Sequence, residues 1–255
     1  MKKSTERILT THSGSLARPP GLTDLLRAQE SGKPYDHDMF AELLKKAVAE
    51  IVRKQVSIGI DVVNDGEQSK PDYYTYVKNR LSGFQGEAYP PEALQDLIEF
   101  PEFSAQVQAS GGFILGPSSS GPITWKGEAA IQTDIANFKA ALRGLKPEEA
   151  FLPSPSPGII AMRLKNEYYP NQPAYLYALA DAIRHEYNAI TRAGLLLQVD
   201  APDLAEGRHM QDILSVREFR KRAEIYVEVL NHALQRIPRA AAHVIRPLCT
   251  FKNEL

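Results

Sequence analysis

The chain has 255 residues and is 43% hydrophobic, enough to bury the core of one large domain. Lys plus Arg number 30 against 31 Asp plus Glu, and a net charge of −1 gives nucleic acid or an anionic membrane no electrostatic handle. A single cysteine, Cys249, excludes an intrachain disulfide framework and a cysteine-based zinc finger. No run approaches the roughly 20 apolar residues that span a bilayer, and no apolar leader follows Met1–Arg7, so a cytoplasmic protein is expected.

In chain order, Ile8-Leu9-Thr10-Thr11 predicts a first strand ending in His12-Ser13-Gly14-Ser15, followed by a short helix over 22–29. Phe40, Leu44, Ala47, Val48 and Ile51 recur at helical spacing and predict an amphipathic helix over 36–57, with Gly59 suited to the left-handed position past its end. A second strand, 60–63, flips abruptly into Asn64-Asp65-Gly66-Glu67, and a helix over 71–81 follows. Residues 83–112, rich in Gly and Pro, read as an insertion carrying a hairpin or a lid.

A third strand is expected at 123–125, a helix over 128–142, and a fourth strand at 150–152 running into Ser154-Pro155-Ser156-Pro157-Gly158. Helices over 157–164 and 173–193 precede a fifth strand, 195–199, which delivers Asp200-Ala201-Pro202-Asp203. A helix over 215–236 and a sixth strand, 242–245, complete the pattern, while 239–255 reads as an atypical tail. Strands alternating with helices imply right-handed βαβ units and a parallel sheet. The expectation is one α/β domain over 1–255, a TIM-type (β/α)8 barrel left incomplete after about six units, since eight units of this spacing need more residues.

In such folds the carboxyl ends of the strands carry the chemistry. Asp65 and Glu67 can hold an ammonium group or serve as a general base; equally, Asp65 can brace its loop and Glu67 cap the next helix. Asp200, aimed from the most apolar strand, needs a cation or donors, whereas Asp203 also suits an N-cap. His12 and Ser15 flank Gly14, where a ligand can approach the backbone or the chain simply turns. His185-Glu186 lacks the second histidine of a zinc-protease helix, because Ala189 stands there, and Gly116–Gly121 lacks the Lys of a phosphate loop.

The motifs Thr10–Pro19, Asn64–Ser69, Gly121–Thr124, Ser154–Gly158 and Leu197–Ala205, in this order, resemble the catalytic half of the cobalamin-independent methionine synthase family and its shorter thiol alkyltransferase relatives. That resemblance covers about residues 7–238. It implies a barrel that moves a methyl group from a folate-type donor to a thiol such as homocysteine, within methionine biosynthesis. A coenzyme M-type alkyl transfer is one alternative, and a non-catalytic remnant or small-molecule-binding module is another. By the same resemblance Ser15 and Glu67 hold the thiol amino acid, Asp200 binds its amino group, and zinc holds the sulfur as thiolate. The family's His-x-Cys zinc pair is met by His243 alone, since Ile245 replaces the cysteine, and the tail through Cys249 departs from the pattern. Truncation by a frameshift near Ile237–Arg239 is expected on this reading, as is self-association through an open sheet edge.

Overall fold

The computed structural model describes residues 1–89, 95–109, 116–205 and 214–245. Its elements, in chain order, are α1 (Pro20–Glu30), α2 (His37–Ser57), β1 (Val62–Asn64), α3 (Val77–Arg80), β2 (Ala88–Tyr89), α4 (Gln95–Glu99), α5 (Pro101–Ala109) and β3 (Gly116–Pro117). Then follow α6 (Glu128–Ala141), β4 (Glu149–Pro155), α7 (Pro157–Arg163), α8 (Gln172–Arg192), β5 (Leu196–Asp200), α9 (Val216–Ala233), a 3-10 turn (Arg239–Ala241) and β6 (Ala242–Ile245).

The caps explain where the long helices start. Asp36 accepts the Met39 N–H at 2.9 Å, Asn171 accepts that of Ala174 at 2.9 Å with Pro173 behind it, and Ser215 and Glu218 form a reciprocal capping box. No helix among the described residues is long and apolar enough to cross a membrane.

Four strands form one parallel sheet in the order β1-β4-β5-β6, and β2 pairs antiparallel with β3 in a separate ladder. The sheet face bearing Leu152, Leu197 and Val199 is buried with Tyr175, Leu179, Ile183, Tyr187 and Ile190 of α8. Alternation puts Phe151, Gln198, Asp200 and His243 on the other face.

Three predicted elements differ. Ile123–Trp125 does not enter the parallel sheet. The Ile123 N–H goes to the Tyr169 hydroxyl at 2.8 Å, Thr124 exchanges bonds with Ser82, and Trp125 makes an antiparallel bridge to Leu81, so β4 takes the place beside β1. Of the helix expected over 71–81, only α3 is helical, because the Asp72 carboxylate accepts the Tyr74 and Thr75 N–H groups and turns the chain. The first predicted strand contributes only the Thr11–Val62 bridge, with the Thr10 N–H drawn to the Asp61 carboxylate at 2.7 Å.

Between the sheet and α3, α6 and α8 lies a buried charge network. Arg80 pairs with Glu186 at 2.7 Å and with Asp134, and Glu186 also accepts from the Tyr76 hydroxyl at 2.5 Å and Ser154 Oγ at 2.8 Å. Burial opposes ionisation of Glu186, but Arg80 and Lys70 outweigh it and hold its pKa below the ordinary value. Removing Arg80 strands two buried carboxylates, so Arg80→Met is expected to cost about 3–5 kcal/mol in urea unfolding. A loss below about 1 kcal/mol would show the network to be dispensable.

Candidate functional site at the carboxyl end of the sheet

Parallel pairing places the loops that follow β1, β4 and β5 at one end of the sheet. The loop after β1 is fixed from below. Gln55 of α2 bonds both backbone groups of Asn64, at 2.7 and 3.1 Å, while the Asn64 side chain accepts the Gly66 N–H at 2.8 Å and donates to the His12 carbonyl at 2.8 Å. Gly66 and Glu67 then adopt left-handed conformations, φ 66° and 54°. Glycine does so freely, whereas a glutamate there is strained by about 1 kcal/mol or more.

The strain is held by several bonds. The Glu67 N–H donates to Asp65 Oδ1 at 3.0 Å, Arg18 Nη2 donates to the carbonyls of Glu67 at 2.9 Å and Lys70 at 2.6 Å, and the Leu16 N–H donates to the Gly66 carbonyl at 3.0 Å. The result is a Glu67 side chain only 1% exposed, with Ser15 Oγ donating to Oε2 and no hydrogen-bond partner on buried Oε1. His12, on the same N-terminal loop, likewise has a buried Nε2 with no partner.

Asp65 lies beside this pair, 2% exposed, and burial pushes its pKa up to about 6 against the pull of Lys70. Lys70 is a residue that the sequence pattern did not single out. Its ammonium is buried, donates to the Pro153 carbonyl at 2.5 Å and lies 4.6 Å from the Tyr76 ring centre, so it fastens the Glu67 loop to β4. A lysine between an acidic loop and Pro71 carries no local mark of burial, and only the fold reveals it.

At the end of β5, Gln198 bridges two of the predicted residues. Its Nε2 donates to Asp200 Oδ1 at 2.9 Å, and its Oε1 lies 3.1 Å from His243 Nε2 on the neighbouring strand. Burial lowers the His243 pKa, with Glu149 opposing it. Strand β4 separates β1 from β5, so the strands bearing Glu67 and Asp200 are about 10 Å apart across the sheet, within reach of one small ligand.

Asp203 sits elsewhere in the arrangement. It accepts from Ser156 Oγ, the N-cap of α7, and a Cβ on Gly158 would lie 2.1 Å from its Oδ2. Its carboxyl therefore seals the start of α7, and glycine at 158 makes room for it. Burial raises the Asp203 pKa to about 6, with the Ser156 hydroxyl and backbone N–H groups opposing.

Among the described residues, no group of three or more His, Cys, Asp or Glu converges in a way that could hold a metal ion. His243 spends Nε2 on Gln198, its Nδ1 is buried without a partner, and Cys249 lies outside the described residues. A catalytic zinc ordinarily needs three protein ligands, so the described donors do not fit one.

The raised pKa of Asp203 has a definite sign. An unfolded aspartate titrates near 4, so between about pH 4 and 6 the native state binds more protons and stability falls as pH rises. Asp203→Asn keeps an acceptor for Ser156 and removes this penalty. Its stability relative to the parent is expected to improve by about 2 kcal/mol between pH 4 and pH 7 in urea titrations. A difference that does not change with pH would refute the buried-carboxyl assignment.

No family model matches the chain. It is 28% identical over 195 residues to methionine synthase of Sulfolobus acidocaldarius, covering 76% of this chain and 51% of that protein. Methionine synthase of Saccharolobus islandicus is 27% identical over 196 residues, with 76% and 53% covered. The chain thus spans about half the length of the curated relatives it matches. In fold it is similar to a B12-independent methionine synthase from Shewanella sp. W3-18-1, solved with selenomethionine, at a TM-score of 0.65 and 17% identity, covering 92% of this chain and 60% of that one. A Listeria monocytogenes protein described as a vitamin-B12 independent methionine synthase gives a TM-score of 0.63 at 20% identity, covering 94% and 67%. In the order of its motifs, in its curated relatives and in its fold the chain is similar to the cobalamin-independent methionine synthases.

Proposed function

We propose that the chain binds a thiol amino acid of the homocysteine type at the carboxyl end of its sheet and serves methyl transfer to the sulfur, with a methyl-folate as donor. The observation that carries this reading is Glu67: a carboxyl buried under Ser15, in a strained backbone, with one oxygen lacking any partner. A buried carboxylate oxygen without a donor is costly, so a ligand ammonium group is the partner its chemistry favours.

The residues divide the substrate between them. Glu67, and Asp200 from two strands away, hold the ammonium; the His12–Ser15 loop, opened by Gly14 at φ 91°, receives the carboxylate; the thiol end is left toward the Gln198–His243 face. Two acidic groups also choose between acceptors. A sulfonate thiol of the coenzyme M type has no ammonium and would bring its own anion toward both carboxylates, so an amino acid is favoured. The Shewanella relative was solved with selenomethionine, an amino acid carrying the selenium analogue of the methylated product. Zinc activation belongs to the family reading; the chain's own described residues supply binding and orientation.

Calorimetric titration with L-homocysteine and L-selenomethionine tests this. Glu67→Gln is expected to weaken binding by about tenfold to a hundredfold, and Ser15→Ala by less, because one loses the charged partner and the other a single hydrogen bond. N-acetyl-L-methionine, which has no ammonium, is expected not to bind. Equal affinity for the acetylated compound, or unchanged affinity in Glu67→Gln, would overturn the assignment.

A further inference from the structure

At the amino-terminal end of the sheet, far along the helices from Glu67, the C-terminal ends of α8 and α9 border an open cavity of about 400 Å3. Three arginines line it, Arg184, Arg192 and Arg236, together with Asn188, Thr191 and Gln235, and no carboxylate contributes among its lining residues. Arg184 is anchored: its Nη2 donates to the His232 carbonyl at 2.7 Å and pairs with Asp181 at 3.2 Å. The side chains of Arg192 and Arg236 make no hydrogen bond or ion pair with another described residue.

Arg236 is also out of place by the rules of the backbone. Two residues past the cap of α6 the chain puts Gly144 at φ 77°, and α1, α2 and α8 are followed by Gly32, Gly59 and Gly194, all left-handed. At the matching position past α9, two residues after Leu234, stands Arg236 at φ 71°. A side chain there is strained where glycine is free. Basic residues do favour helix C-termini, and that accounts for cations in this region. It does not account for an arginine at the one position where glycine is preferred, since a basic residue in the last turn would serve the dipole equally.

We propose that this cavity binds a compact oxyanion with at least two negative charges, a phosphate-ester or pyrophosphate group, gripped by Arg184, Arg192 and Arg236. Guanidinium forks recognise such oxygens through paired charge-assisted hydrogen bonds, and the nearby amides of Asn188 and Gln235 add neutral donors. Anion binding would relieve the mutual repulsion of the three cations.

Inorganic pyrophosphate is the probe, titrated into the full chain by calorimetry at two salt concentrations. The expected result is saturable binding that weakens as salt rises, and a loss of about tenfold or more in both Arg192→Gln and Arg236→Gly. Arg236→Gly is also expected to melt at the same or a higher temperature, because glycine relaxes the left-handed backbone. Lys46→Gln, an exposed cation on α2, is the control and is expected to bind as the parent does. Absence of saturable binding, unchanged affinity in Arg192→Gln, or an equal loss in Lys46→Gln would each overturn the proposal. If Arg236→Gly does not fold, the strain argument fails and Arg192→Gln still decides the binding.

Discussion

Withdrawing a carboxyl group from water demands compensating donors, and Glu67 has only Ser15 Oγ from a side chain. Everything around it serves to keep it there. Gln55 fixes Asn64, Asn64 fixes the turn at Gly66, Asp65 takes the Glu67 N–H, and Arg18 clamps the loop carbonyls from outside. A strained residue persists only where its surroundings over-determine it, and these bonds meet that condition. The unpartnered oxygen is the consequence: the loop is organised before any ligand arrives, so little ordering remains to be done on binding.

Lys70 makes the site continuous with the core. Its ammonium joins the loop to β4 and lies over the Tyr76 ring, whose hydroxyl in turn bonds Glu186 in the Arg80 network. A connected set of buried polar groups thus runs from the Glu67 loop to α6. Its members are individually costly to bury and mutually satisfied, which favours a single arrangement of loop and helices. Asp203, by contrast, has its capacity taken up by Ser156 and the start of α7, so its burial is accounted for by packing.

The helices were the legible part of the sequence. Apolar spacing and capping residues such as Asp36, Asn171 and Ser215 act locally, and local signals survive in a single chain. Strands were less so, because a short apolar run does not say what pairs with it. Ile123–Trp125 has a strand's composition, yet Tyr169 and Ser82, distant or separately placed in the chain, claim its hydrogen bonds. The contact of Ser15 with Glu67 spans 52 residues and became readable only through the family motifs that both belong to. Lys70 falls just outside the motif Asn64–Ser69, and Gln198, though inside Leu197–Ala205, carried no assigned role there; what each touches follows from tertiary packing. The register of β5 against β6, which sets Gln198 beside His243, is likewise a property of the assembled sheet.

The central claim is that Glu67 waits for a ligand ammonium at the carboxyl end of the parallel sheet. Crystals of the chain grown with L-selenomethionine, measured at the selenium absorption edge, address it without relying on activity. The account predicts an anomalous selenium peak over the ends of β1, β4 and β5, with the ligand nitrogen hydrogen-bonded to Glu67 Oε1. A selenium peak at another surface, or a ligand whose nitrogen faces solvent while Oε1 stays unpartnered, would contradict it.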